Sequence, residues 1–299
     1  METIHNRAGG SEPESQALSS LQGLSVGDAF GETFFREDPQ SIQERSLPPG
    51  TWNWTDDTHM ALSIVEVLLE FGRIEQDKLA RLFAEKYSQQ PWRGYGGGAR
   101  RLLGNLSRKA DWREEAPKLF SGGSYGNGAA MRAAPIGAYY TNSPQRAAEE
   151  AEKSAMITHF HPEGRVGAMA VAAAAALFPL ELGVKTGAEF LEEVAALLPE
   201  SKTRAGIEEA VRIPPSQVQQ AVSKLGTGMR VAAFDTVPFC LWVAAHHADE
   251  YENALWVTVS GSGDMDTTCA IVGGIIGAAR PAPPEWIARR EPLLDQFNV

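Results

Sequence analysis

The apolar residues of this chain recur mainly three or four positions apart, which is the spacing of one face of an α-helix. Alternation with period two, the pattern of a half-buried strand, is scarce. In the first part of the chain, the helical spacing is carried by Leu18, Leu21, Leu24, Met60, Ile64, Val67, Leu68, Leu79, Leu82, Phe83 and Tyr87. The pattern predicts an all-α fold.

The same spacing predicts further helices at residues 147–157, 165–178, 188–198, 203–211, 215–225, 239–247, 252–259 and 267–279. Glycine-rich stretches separate helices at residues 94–98, 122–128 and 261–263, and none of them forms a long linker. No repeat of solenoid length is visible. We therefore expect one domain over residues 15–299, after a disordered leader at residues 1–14 that is poor in apolar residues.

Composition and charge narrow the class of protein. The chain has 299 residues and a formal charge of −11, so it lacks the basic surplus that sequence-specific nucleic-acid binding or attachment to an anionic membrane requires. Its longest apolar run, residues 166–178, is shorter than the roughly 20 residues of a membrane span. The N-terminus lacks the features of a secretory signal, which predicts a cytoplasmic protein. Cys240 and Cys269 form no CxxC pair, so neither disulfides nor a cysteine zinc site is indicated.

The strongest local signal is a run of polar residues, Thr55, Asp56, Asp57 and Thr58, which opens a predicted helix. One interpretation is a helix cap, since Thr and Asp side chains accept hydrogen bonds from the free amides of a first turn. One aspartate is enough for that purpose. Two adjacent carboxylates flanked by hydroxyls also form a set of hard oxygen ligands suited to Mg²⁺ or Mn²⁺.

A second cluster of the same kind supports the metal interpretation. Asp264, Asp266 and Thr267 lie in a serine- and glycine-rich run just before an apolar helix near the C-terminus. The two oxygen-rich helix starts are about 200 residues apart in one helical domain, and they fit the two halves of a binuclear site. A pair of divalent cations there would offset the repulsion between the carboxylates.

A third element is the glycine-rich run at residues 122–132, which includes Ser124, Tyr125 and Asn127. Successive backbone amides in such a loop, leading into a helix, cradle a phosphate without a basic side chain. Taken alone, the run is equally a tight interhelical turn. The loop at residues 94–98 is weaker evidence, because no polar residue accompanies its glycines.

Taken together, six motifs of this chain resemble, in sequence and in order, those of the ADP-ribosylglycohydrolases. This is the family of dinitrogenase-reductase-activating glycohydrolase and the serine-ADP-ribose hydrolases. The resemblance spans residues 21–279. The motifs are Gly27-Asp28-Ala29-Phe30-Gly31, Thr55-Asp56-Asp57-Thr58, Arg93-Gly94-Tyr95-Gly96, Gly123-Ser124-Tyr125-Gly126-Asn127-Gly128, Thr158-His159 and Gly263-Asp264-Met265-Asp266-Thr267.

The resemblance implies a single orthogonal multi-helix bundle with two Mg²⁺ or Mn²⁺ ions at the base of a cleft. By matching position, the metal ligands would be Thr55, Asp56, Asp57, Asp264, Asp266 and Thr267. In the family, these ions hold the distal ribose and the attacking water. The substrate-binding residues would be Asp28, Gly94, Gly96, Gly98, Gly123, Ser124, Tyr125, Gly126, Asn127 and His159, with Phe234 as a candidate for adenine stacking.

The chain departs from the family at one position. Members that cleave serine-linked ADP-ribose carry a glutamate seven residues after the aspartate of the Gly-Asp motif, and that position is Phe35 here. The nearest carboxylate is Glu32. Either Glu32 serves as the acid/base, or the metal-held water does so together with Asp56, Asp57 or Asp266. The departure puts serine-linkage activity in question while it leaves the metal site and the ADP-ribose pocket intact.

The leading functional hypothesis is a metal-dependent hydrolase that cleaves at C1'' of the distal ribose in an ADP-ribosyl compound. A rival uses the same site to remove phosphate from ADP-ribose 1''-phosphate. A third hypothesis is an ADP-ribose-binding module without turnover, and the retention of all six ligand-type residues argues against it. In each case the partner is an ADP-ribose-containing small molecule or an ADP-ribosylated macromolecule, and we expect the protein to be a monomer.

Overall fold

The helices predicted from the apolar spacing form as expected. The computed structural model describes residues 12–178, 187–294 and 297, and within those residues it contains helices but no strand. The helices are α1 (Glu12–Thr33), α2 (Pro39–Gln43), α3 (Asp56–Phe71), α4 (Gln76–Gln89), α5 (Gly97–Ser107), α6 (Trp112–Glu115), α7 (Ala134–Tyr139), α8 (Pro144–Met156), α9 (Pro162–Leu177), α10 (Ala188–Ala196), α11 (Lys202–Ala210), α12 (Val218–Leu225), α13 (Val237–His246), α14 (Tyr251–Ser260), α15 (Met265–Gly277) and α16 (Pro284–Arg289). Short 3₁₀ turns lie at Ala116–Ser121, Asn127–Ala129 and Ala233–Asp235.

The helix ends differ from the prediction by a few residues. Helix α1 begins at Glu12, three residues before the expected start, because Glu12 and Glu14 in its first turn interact favourably with the helix dipole. Residues 1–11 of the predicted leader lie outside the described residues. Helix α12 begins at Val218 instead of residue 215, and Pro214 and Pro215 lie in the turn before it.

Helices α1 and α15 pack with their backbones in direct contact. A Cβ atom on Gly27 would lie 2.2 Å from the carbonyl oxygen of Cys269, and Gly23 and Gly31 are equally close to the α15 backbone. The contact is reinforced by the Ser20 hydroxyl, which donates to the Gly274 carbonyl at 2.7 Å. The first helix therefore lies against the helix that carries the last carboxylate motif.

Aromatic rings fill the core beside this helix pair. Phe30 stacks on Trp286 with ring centroids 4.5 Å apart, and Trp52 packs edge-on against the same ring at 5.5 Å. The Trp52 amide donates to the Arg289 carbonyl at 2.8 Å, and the Glu291 amide donates back to the Trp52 carbonyl at 2.7 Å. The C-terminal segment thus holds the stretch of chain that leads into α3.

Helix α9 is alanine-rich and buried along most of its length, as expected for the longest apolar run. Small side chains allow its neighbours to approach closely, since a Cβ atom on Gly137 of α7 would lie 2.2 Å from the Ala172 carbonyl oxygen. Among the described residues, no helix combines the length and apolar character that crossing a bilayer requires.

Candidate active site

The starts of helices α3, α5 and α15 meet the turn at Asn127–Ala129 around one cavity of about 390 Å³. Most residues predicted for the metal and substrate sites line it. They are Asp56, Asp57, Gly94, Gly96, Gly98, Ser124, Tyr125, Gly126, Asn127, His159, Asp264, Asp266 and Thr267. The structure therefore brings five of the six sequence motifs to one place.

Asp28, which the sequence places among the substrate-binding residues, is buried beneath the cavity and does not line it. Its carboxylate is fully buried and accepts four hydrogen bonds, from the backbone amides and the hydroxyls of Thr55 and Thr58. The shortest joins the Thr58 hydroxyl to Oδ2 at 2.6 Å. These bonds satisfy donors that a helix start leaves free, so Asp28 fixes the position of α3 and its two carboxylates.

Thr55 serves as the N-cap of α3 and is also absent from the cavity lining. Its hydroxyl donates to Asp28 Oδ1 at 2.9 Å and accepts from the Asp57 amide at 3.3 Å. The helix-cap interpretation of this run is therefore confirmed for Thr55. The side chains of Asp56 and Asp57 do not form this cap.

Two buried carboxylate oxygens make no hydrogen bond to any described residue: Asp57 Oδ2 and Asp266 Oδ1. Oxygen atoms of Asp28, Asp57 and Asp266 lie within 4.8 Å of one another. Buried acceptors without donors, crowded with like charges, are costly unless a cation joins them. Their hard oxygen chemistry fits a divalent cation such as Mg²⁺ or Mn²⁺.

Burial raises the pKa of each acid at this site, and repulsion by neighbouring carboxylates adds to the rise for Asp56, Asp57 and Asp266. The pKa of Asp56 rises to about 7, chiefly through burial and then through the charge of Asp28. The pKa of Asp28 rises to about 6 because burial outweighs its hydrogen bonds to Thr58 and Thr55. Burial, followed by neighbouring carboxylates, raises the pKa of Asp57 and of Asp266 well above the ordinary value.

These shifts predict a pH-dependent stability. An acid whose pKa is higher in the folded state than in the unfolded state stabilises the fold below its unfolded pKa, and this stability is lost as pH rises through the folded pKa. In EDTA, the melting temperature should therefore fall between about pH 5 and about pH 8, while the stabilisation by added Mg²⁺ grows, because the cation competes with protons for the same oxygens. Thermal unfolding across this range tests the prediction, and a melting temperature in EDTA that rises with pH would contradict it.

The loop at residues 122–128 is tied to the second carboxylate motif. Asn127 donates from Nδ2 to Asp264 Oδ2 at 2.7 Å and to the Thr236 hydroxyl at 3.1 Å. Gly123 is needed for a close approach, since its backbone has φ of +96° and a Cβ atom there would lie 2.4 Å from the His161 amide nitrogen. Gly123 thus supports the loop from behind and does not line the cavity.

Two predicted residues lie away from the cavity lining. Glu32 pairs with Arg36 at 3.0 Å, and Phe35 is 49% exposed beyond the end of α1. Phe234 lies behind Tyr125, with ring centroids 6.1 Å apart, and the Lys202 ammonium is 5.0 Å from its ring centroid. Neither Glu32 nor Phe234 therefore lines the cavity.

Several lining residues were not predicted. Phe120 is 67% exposed at the rim and adopts a left-handed backbone conformation with φ of +51°. Arg132 is fully buried in the wall, and Arg230 and Val231 border the mouth. The sequence signal for Arg132 was a charge between apolar residues at the end of the glycine-rich run at residues 122–132.

Fold and cavity together define an all-α protein with a cluster of buried carboxylates at the base of one cavity. The chain belongs to the ADP-ribosylglycohydrolase family, because the sequence profile of that family matches residues 10–297. This confirms the resemblance found in the motifs. Members of this family act on ADP-ribosyl linkages, and the protein is a hydrolase of that class.

Individual relatives extend over nearly the whole chain. The chain is 30% identical to ADP-ribosylhydrolase ARH3 of Mus musculus over 322 residues, covering 89% of this chain and 85% of that one. It is 26% identical to ADP-ribosylarginine hydrolase Tri1 of Serratia proteamaculans, covering 89% of this chain and 73% of that one. A solved ADP-ribosylglycohydrolase-related protein complex shares the fold, with a TM-score of 0.64 at 22% identity over 94% of this chain and 93% of that one.

Proposed function

We propose that the protein is a divalent-metal-dependent hydrolase that cleaves ADP-ribosyl compounds at C1'' of the distal ribose. The observation that carries the proposal is the pair of buried, unpartnered oxygens on Asp57 and Asp266 at the base of the cavity. Such a pair is unfavourable in a protein that holds no cation there, and it is well suited to one that does. We further propose that the protein acts as a monomer in the cytoplasm.

Two Mg²⁺ or Mn²⁺ ions would be held by Thr55, Asp56, Asp57, Asp264, Asp266 and Thr267. Asp28 belongs to the same cluster of oxygens and positions Thr55 through its hydrogen bonds. When bound, such ions supply positive charge that orients hydroxyl groups and makes water more acidic. The Asn127 side chain donates to Asp264 at 2.7 Å and so fixes the position of that carboxylate.

The walls suit the remainder of an ADP-ribosyl group. In the loop at residues 122–128, the amides of Gly122, Gly123, Gly126 and Asn127 donate within the protein. We assign phosphate binding to the remaining amides of the loop, which add no charge to an acidic protein. Phe120 and Tyr125 are exposed aromatic residues at the rim, of the type that stacks on a flat base. We therefore assign the adenine to this rim, where Phe120 takes the role first expected of Phe234.

Among the four candidate catalytic groups, we propose Asp56 as the general base. It lines the cavity, and its oxygens are not among the buried ones without a hydrogen-bond partner that call for a cation. Asp57 and Asp266 serve as ligands. Glu32 is the weaker candidate because its carboxylate is already paired with Arg36.

The linkage cleaved is the open part of the proposal. Phe35 stands where serine-specific members carry glutamate, and one relative is named an ADP-ribosylarginine hydrolase. We therefore propose arginine-linked ADP-ribose as the first substrate to test. Removal of phosphate from ADP-ribose 1''-phosphate is the second candidate, since a cluster of carboxylates for two cations suits that reaction as well.

A mass-spectrometric time course tests both functions. Arginine- and serine-ADP-ribosyl peptides, an ADP-ribosylated nucleic-acid end and ADP-ribose 1''-phosphate are incubated with the protein in Mg²⁺ or in EDTA. We expect free ADP-ribose from the arginine-linked peptide, and we expect EDTA to abolish it. Turnover of the 1''-phosphate alone would replace the proposal with the phosphatase, and no metal-dependent turnover of any substrate would contradict both.

A further inference from the structure

Arg132 is a buried cation beside the cavity whose role the proposed reaction does not explain. Its side chain is fully buried, with the guanidinium 4.7 Å from the Phe83 ring centroid. Nη1 donates to the Gly128 carbonyl at 2.6 Å, and Nη2 donates to the Thr158 hydroxyl at 2.8 Å. Arg132 therefore connects the glycine-rich loop to the residue that precedes His159.

The Thr158 hydroxyl continues this chain of hydrogen bonds. It is almost completely buried, and it lies 2.8 Å from His159 Nδ1. A guanidinium only donates, so the bond from Arg132 occupies a lone pair of the hydroxyl oxygen. Among the described residues, His159 Nδ1 is the one acceptor recorded for the hydroxyl's own proton. That proton is consequently directed to Nδ1.

A neutral imidazole carries one proton, so a ring that accepts at Nδ1 must hold its proton on Nε2. Nε2 faces the glycine-rich loop: Cβ atoms built on Gly126 and Gly128 would lie 3.3 Å and 3.1 Å from it. The ring also lines the cavity. The free N–H therefore points towards the space between the loop and the cavity.

We propose that Arg132 and Thr158 are positioning residues that hold His159 as the neutral tautomer with its proton on Nε2, ready to donate to a phosphate of the bound substrate. The hydrogen bond to phosphate rests on the proposed function, whereas the assignment of the tautomer rests on the hydrogen bonds of Thr158.

The charge state of the ring agrees with this arrangement. Enclosure by protein, with the nearby Arg132 charge, lowers the pKa of His159 to about 3. The ring therefore stays neutral in ordinary buffers, and its donor depends on the tautomer alone. A histidine that was free to exchange tautomers would present a lone pair to the phosphate for part of the time, and two acceptors would then repel each other.

Nitrogen NMR of the ¹⁵N-histidine-labelled protein tests the tautomer directly, with the His159→Asn variant used to assign the signal. We expect the wild-type ring to be protonated at Nε2, and protonation at Nδ1 would overturn the proposal without any need for a further variant. In Thr158→Val, which keeps the shape and removes the hydroxyl, the population should shift towards Nδ1–H. Thr158→Ser should restore the wild-type signal, and an unchanged signal in Thr158→Val would also overturn the proposal.

Calorimetric binding of ADP-ribose in Mg²⁺ tests the donor. We expect Thr158→Val to bind ADP-ribose about tenfold more weakly, equivalent to about 1.4 kcal/mol, with Thr158→Ser close to wild type. Thr141→Val is a matched control, since its hydroxyl caps a local carbonyl at 2.7 Å. A tautomer shift without loss of affinity would overturn the donor role. If wild-type protein binds no ADP-ribose, the proposed function fails while the NMR result still decides the tautomer.

Discussion

Replacement of Asp57 by Asn is expected to reduce metal-dependent turnover by about 10³-fold or more. Asp57 offers a buried, unpartnered oxygen at the base of the cavity, and loss of a residue that only supports a metal ligand already costs about 10- to 100-fold. Although Asp57→Asn should lower turnover, it should raise the thermal stability of the protein in EDTA. Without a cation, the variant removes one of several crowded carboxylates, so its melting temperature should rise by a few degrees, corresponding to about 1 kcal/mol.

Turnover and thermal unfolding, each measured in Mg²⁺ and in EDTA, check this pair of effects. The stabilisation by Mg²⁺ should shrink in the variant, since an ion that binds only the folded state stabilises it by an amount that grows with the logarithm of its affinity. Asp77→Asn is a matched control, because Asp77 is an exposed carboxylate paired with Arg113 at 2.8 Å. Equal melting temperatures for wild type and Asp57→Asn in both solutions would show that Asp57 belongs to no cation site.

Replacement of Gly27 by Ala is expected to destabilise the protein by about 3 kcal/mol, at the upper end of the usual range for overpacking. The added methyl group would lie 2.2 Å from the Cys269 carbonyl oxygen, and backbone cannot move aside as a flexible side chain does. Helices α1 and α15 would separate. Because α1 carries Asp28 and α15 carries Asp266, we expect metal affinity to fall together with stability.

Chemical denaturation and Mg²⁺ titration of the variant measure these two losses. Gly104→Ala is a suitable control, since Gly104 lies in α5. Apart from the backbone of the helix itself, the nearest atom to an added methyl group there is the end of the flexible Arg108 side chain at 4.0 Å. That substitution should stabilise the protein by about 0.5–1 kcal/mol, as alanine does in a helix. A Gly27→Ala variant as stable as wild type would refute the backbone contact between α1 and α15.

Much of the fold follows from local sequence, because helices here bury faces whose apolar residues repeat at helical spacing. The ligand-type residues of the site were also visible, since Asp56, Asp57, Asp264 and Asp266 cluster at helix starts. Their spacing predicts a set of oxygen ligands that suits a divalent cation. The number and identity of the ions stay predictions.

The remaining features depend on contacts between distant parts of the chain. Asp28 was placed with the substrate by its motif, yet its partners are Thr55 and Thr58 on another helix. Glu32 was a candidate acid, and the local pairing with Arg36 draws it away. Phe120 joins the rim through a left-handed backbone conformation that residue type does not predict.

The contact between α1 and α15 has a consequence for how the protein is made. Asp28 and Asp266 are 266 − 28 = 238 residues apart, yet both belong to one cluster of oxygens. A nascent chain emerges from the ribosome N-terminus first, so α1 must wait for nearly the entire chain before its glycine face is covered. This cluster of carboxylate oxygens therefore cannot assemble on a partly synthesised chain, and cleavage activity begins only after α15 has been released and has docked.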